Sequence, residues 1–115
     1  MGLDTTHNCW HGPYHSFGIF RKELAKQIGI DLTGYEGFGG TLLFEPLKHE
    51  IKPLLDHSDC SGNITPEDAK SIVIGLNLII SNMDKEPYEG FKFHCERFRD
   101  GCIEAIEANE DIEFH

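Results

Sequence analysis

Asp4, His7, Cys9, His11 and His15 fall within the first fifteen residues of the chain, with Trp10 and Tyr14 among them. Imidazole and thiol are the side chains whose protonation and metal affinity are most easily tuned near neutral pH, and the large aromatics offer flat faces to a ligand or to a core. In His7-x-Cys9-x-His11 the three groups share a face only where the chain is extended, since alternate residues of a strand point the same way. No second close pair of the Cys-x-x-Cys or His-x-x-x-His kind follows, which argues against a structural zinc finger. What remains is a three-ligand site of His7, Cys9 and His11 completed from a distance by Asp59, Cys60 or His115. Such a site suits a divalent transition metal such as zinc with one coordination position open. Asp4 and Trp10 would then contact a small ligand, the indole as its wall. Taken singly, each histidine reads more simply as a turn cap or surface residue and Trp10 as a core anchor; only the clustering favours a site. A catalytic version pairs Cys9 as thiolate with His7 or His11 as base and Asp4 or Asp59 as orienting group, without any cysteine-protease signature around Cys9.

A second stretch, His57-Ser58-Asp59-Cys60-Ser61-Gly62-Asn63-Ile64-Thr65-Pro66-Glu67-Asp68, has the spacing of an EF-hand loop. Gly62 stands at the turn position, and Asp68 at the last position resembles the loop of dockerin modules. Position 1, however, is the imidazole of His57 where a hard cation wants carboxylate oxygen, and only Asp59 and Asp68 supply charge. The loop therefore favours calcium less than the opening cluster favours a transition metal.

The elements that must hold these residues follow from hydrophobic period and punctuation. Phe17, Phe20, Leu24 and Ile28 recur at helical spacing, predicting an amphipathic helix over about 14–28 with Arg21, Lys22 and Lys26 on its polar side and Gly29 as its cap. Thr65 before Pro66-Glu67-Asp68 starts a helix over 66–82, whose apolar residues nearly encircle it and suggest a central buried element. A last helix over about 88–108 turns Phe91, Cys95, Phe98, Cys102 and Ile106 inward. Four glycines between Gly34 and Gly40 make a loop, 41–44 is a strand candidate, and both chain ends alternate apolar and polar. The expectation is a single α+β domain over 1–115, with three main helices and a small sheet from the N-terminal, 41–44 and C-terminal segments.

Twenty acidic against ten basic residues give 115 residues a formal charge of −10. That sign disfavours sequence-general binding to nucleic acid and contact with anionic membranes, and leaves room for an acidic mimic of nucleic acid. There is no apolar run of membrane-spanning length and no secretory leader, so a soluble, cytoplasmic chain with its four cysteines as thiols is expected. Met1-Gly2 with Thr6 matches the bare myristoylation pattern but lacks a polybasic partner, and Asn63-Ile64-Thr65 has meaning as a glycosylation acceptor only in a secreted chain.

Gly2-Leu3-Asp4-Thr5-Thr6-His7, Cys9-Trp10-His11-Gly12, His57-Ser58-Asp59-Cys60 with Gly62, and Glu113-Phe114-His115 together resemble a family of small uncharacterised proteins encoded by bacteria and their phages. The resemblance touches both ends and the middle of the chain. It implies a phage or bacterial setting, with host cytoplasm as the compartment, and no mechanism. Ser61 and Asn63 stand where such relatives would carry acids, which further weakens calcium. The leading expectation is a binding protein, a phage accessory factor, whose two termini and 57–62 loop converge on one His/Cys/Asp site for a metal ion or small molecule. The alternatives are an acidic module that inhibits a host enzyme through an exposed patch, and a small Cys/His or metal-dependent hydrolase.

Overall fold

Phe17, Phe20 and Leu24 are fully buried along one face of α1, Tyr14–Gln27, as the apolar spacing requires. The helix stops where Gly29 takes φ +84, and the Gly29 N–H bonds the Lys26 carbonyl at 3.0 Å. The computed structural model describes residues 2–58 and 61–115. A short helix α2, Lys52–Leu55, precedes α3, Pro66–Asn82, whose first turn is capped by the Thr65 hydroxyl accepting the Asp68 N–H at 3.2 Å. The last helix α4, Phe91–Ala108, begins three residues later than the periodicity suggests because Gly90, at φ +94, breaks the chain ahead of it. It ends at Asn109, whose left-handed backbone lets the Glu110 N–H reach the Ala105 carbonyl at 2.9 Å.

The α+β class and the three main helices are as expected, but the strands are arranged differently. β1, Gly2–Asp4, pairs antiparallel with β2, His11–Pro13, and β3, Asn63–Ile64, pairs antiparallel with β4, Ile112–Glu113. A bridge between Thr5 and Phe114 joins these two small ladders. Asp4 and His115 exchange backbone hydrogen bonds of 3.3 and 2.8 Å, and the Phe114 N–H donates to the Gly62 carbonyl at 3.0 Å. The two chain ends and the 62–64 segment thus form one seam. Residues 41–44 do not enter it. Leu42 instead bridges Tyr35, folding the glycine-rich loop onto itself, with Gly40 packed so closely on the Gly34 backbone that no side chain fits. Leu42 and Leu43, both more than half exposed, have no apolar face to cover, and a strand there would have gained nothing by pairing.

One core links the helices to the seam. Trp10, Phe17, Phe20, Phe91 and Phe98 fill its centre, and Leu3, Ile64, Ile112 and Phe114 close the seam end. Each fully buried phenylalanine contributes about 1.5–3 kcal/mol of transfer free energy. Two expectations fail here. Arg21 is buried rather than on the polar side of α1, and α3 is not encircled, because Ile74 and Leu78 face solvent.

The N-terminal turn seats directly on α4 at Gly101, where an added Cβ would lie 2.5 Å from Cys9 Sγ and 2.7 Å from the His7 carbonyl oxygen. Gly101→Ala is expected to destabilise the protein by about 1–3 kcal/mol, the overpacking cost exceeding alanine's gain in helix propensity. Urea unfolding measures it, and a wild-type midpoint would show that the turn is not wedged against the helix.

Candidate functional site

A single 3-10 turn at Thr6–Asn8 decides where the opening cluster points. His7 and Asn8 both adopt positive φ, 62° and 57°, which reverses the chain and abolishes the extended geometry that would put His7, Cys9 and His11 on one face. His7, its side chain only 11% exposed, places Nε2 2.9 Å from Glu110 Oε1 and Nδ1 3.0 Å from the Thr6 hydroxyl. The Thr6 hydroxyl in turn accepts the Glu113 N–H at 2.9 Å. Thr6, His7, Asn63, Glu110, Asp111 and Glu113 surround a depression of about 550 Å³, within which the Asn63 amide donates to Asp111 at 3.2 Å.

The other members of the cluster go elsewhere. Cys9 is fully buried against Gly101 and faces the Cys102 thiol, whose pKa is raised by the hydrogen bond with Cys9 and then by burial. A thiol held there meets no solvent and sits beside another thiol rather than a base, so it is poorly placed to be a nucleophile. Trp10 is a core residue, 5.2 Å between ring centroids from Phe17 and from Phe20 and 4.6 Å from His94. Its indole Nε1 meets no acceptor among the described residues. His11 and Asp4 are cross-strand neighbours whose exposed side chains pair through Nδ1 and Oδ1. His115 is exposed and joined to Asp4 through the backbone. Asp59 and Cys60 lie outside the described residues. Among the described residues, no three His, Cys, Asp or Glu side chains come together in a way that could hold one metal ion.

A cavity of about 690 Å³ is walled by α1, the glycine-rich loop and the segment 55–58. Arg21 Nη1 donates to the His57 carbonyl at 2.6 Å and to the Leu55 carbonyl at 3.3 Å, and its guanidinium lies 4.7 Å from the ring centroids of both Phe17 and Phe38. The His57 ring sits 4.3 Å from the Phe114 ring, with Nδ1 2.7 Å from the Ser58 carbonyl and Nε2 3.1 Å from that of Asn63. The cavity is therefore fastened, through His57, to the seam of the chain ends. Sequence reasoning missed Arg21, Gly18, Phe38 and Phe44 here. For Arg21 the signal was present: it follows Phe17 by four and precedes Leu24 by three, which is the apolar face, and its charge masked the period.

Elsewhere on the surface several large apolar side chains are exposed. Ile74 and Leu78 of α3 and Phe93 of α4 are exposed, and Arg99 of α4 reaches the Asn77 side chain of α3 at 3.2 Å. No helix of the described residues is long and apolar enough to cross a membrane.

Burial, and then the nearby Arg97 charge, lower the pKa of His94 below its ordinary value of 6.5. The folded protein then binds fewer protons at this site than the unfolded chain once pH drops beneath that value, so protonation favours unfolding. Stability should fall as pH is lowered from about 6.5, and His94→Gln should remove part of that slope relative to wild type. Urea midpoints at pH 7.5 and 5.5 measure the difference, and identical slopes in the two proteins would contradict it.

Comparison with protein-family models, with curated proteins and with solved structures finds no match to this chain.

Proposed function

We propose that the protein is a small-molecule binding protein whose site is the cavity between α1, the glycine-rich loop and the 55–58 segment. The observation that carries this reading is the cavity itself. Its volume of about 690 Å³ falls within the few hundred to a thousand Å³ usual for small-molecule sites, and its walls come from segments the fold holds in register. Arg21 fixes the segment bearing His57 by donating to its carbonyls, and Phe38 is held against the same guanidinium. Binding groups of both chemical kinds line it: ionic side chains such as Lys22 and Glu45, and the rings of Phe38 and Phe44. In this reading the N-terminal cluster does not touch the ligand. It fastens the chain ends to the loop that bounds the cavity.

A fragment screen read by amide chemical shifts tests the proposal. Fragments that bind are expected to move the resonances of Lys22, Phe38 and His57 together. Hits scattered over other surfaces, with these three unmoved, would overturn it.

A second reading is favoured by the His7–Glu110 pair, namely that the junction of the chain ends takes a divalent transition metal. Zinc–nitrogen and zinc–oxygen bonds of about 2.0–2.2 Å at tetrahedral angles place the two donor atoms roughly 3.3 Å apart, a small widening of the present contact. His7 and Glu110 would be the protein donors, with water completing the coordination, since among the described residues no third such side chain joins them. Elemental analysis of untagged protein after dialysis against zinc is then expected to show one equivalent, lost in His7→Ala. Protein that retains none dismisses this reading and leaves the cavity proposal unaffected.

A further inference from the structure

Gly18 is the residue of the cavity that the fold itself does not explain. Glycine inside a helix loses stability relative to alanine, so it is expected only where something lies too close for a side chain. At Gly75 of α3 an added Cβ would meet the Ile51 nitrogen at 2.8 Å, and at Gly101 of α4 the His7 carbonyl oxygen at 2.7 Å. At Gly18 of α1 it would meet nothing within 4 Å among the described residues, and the residue lies on the cavity wall. Among the described residues, no atom uses the space that Gly18 keeps clear.

Resting on the small-molecule reading above, we infer that this space belongs to a small zwitterion with a flat apolar body, an aromatic α-amino acid being the simplest form. Lys22 lies four residues beyond Gly18 on the same helix face and offers an ammonium to an anionic group. Glu36, Glu45 and Asp56, contributed by two other segments, offer carboxylates to a cationic one. Phe38 and Phe44, 6.2 Å apart and edge to face, give an aromatic wall for the apolar body. Three carboxylates against Lys22 and the Arg21 guanidinium, the latter already engaged by the Leu55 and His57 carbonyls, disfavour polyphosphates and other multiply charged anions. An amino acid places both signs of charge next to a ring.

Calorimetric titration and amide chemical shifts with L-phenylalanine, phenethylamine and 3-phenylpropionate test the inference. L-phenylalanine should bind roughly tenfold or more tighter than either singly charged analogue, each of which forgoes one charge-assisted contact. Gly18→Ala should raise the urea midpoint while weakening L-phenylalanine roughly tenfold, because a methyl group fills the cleared space. Lys22→Ala, at an exposed position that leaves the fold intact, should weaken L-phenylalanine and 3-phenylpropionate but not phenethylamine. Equal affinity for the three probes would overturn the zwitterion while the cavity still binds. Undiminished binding by Gly18→Ala would overturn the role of that glycine. Failure of all three probes, with fragment hits still mapping to Lys22, Phe38 and His57, would reject this ligand class alone. The same failure with no hits there would reject the cavity as well.

Discussion

Arg21 is the one charged side chain that the described residues bury, and much of the architecture follows from how that charge is accommodated. Removing a guanidinium from water is costly unless its N–H groups find acceptors, and the carbonyls at the end of α2 supply them. Nη1 donates to the Leu55 and His57 carbonyls, while Phe17 and Phe38 lie against the guanidinium. A helix end leaves its last carbonyls without intrahelical partners, so the same contact satisfies α2 as well as Arg21. The result ties three segments distant in sequence: α1, the end of α2 and the glycine-rich loop. Without it, the segment carrying His57 would have little reason to hold one position against α1.

From His57 the constraint passes to the chain ends. The His57 ring packs on Phe114, Phe114 bonds Gly62 through the backbone, and Thr5 bridges Phe114. Strands of two or three residues are too short to be stable as isolated ladders. Here they persist because Leu3, Ile64, Ile112 and Phe114 bury their side chains under the seam, so packing maintains the pairing rather than the reverse. Gly101 completes the arrangement by letting the turn at His7 rest on α4.

The helices were legible because each carries a strong local signal: the apolar period of α1, the Thr65-Pro66 start of α3, the inward row Phe91, Cys95, Phe98 and Cys102 of α4. The meeting of the two termini was also legible, from alternation at both ends. Partner choice was not. A strand pattern states that a segment can pair but not with what, so 41–44 resembled a sheet strand although it closes a local loop. The apolar residues of α3 were read as encircling it, whereas Ile74 and Leu78 remain outside. Of the site residues, the paired side chains His7–Glu110 and His11–Asp4 depend on a turn and a register that no spacing rule encodes. Arg21 and Gly18 were obscured for a different reason, since a charge suggests solvent and a glycine suggests a break, and both inferences fail inside a well-packed helix.

The opening residues show why chemical richness in a short segment does not by itself locate a site. His7, Cys9 and His11 would share a face in a strand, but two successive residues in the left-handed region, His7 and Asn8, divide them. The turn sends Cys9 into the core, leaves His7 largely enclosed beside Glu110, and delivers His11 to the far strand opposite Asp4. Each polar group then satisfies a local requirement: His7 joins the turn to the end of α4, and Cys9 fills the space that Gly101 opens. Non-glycine residues with positive φ persist only where surrounding contacts over-determine them, and here those contacts are the seam and α4. His57 lines the cavity and packs on Phe114 of the seam, so the cluster is tied to the cavity only indirectly, through the position of His57.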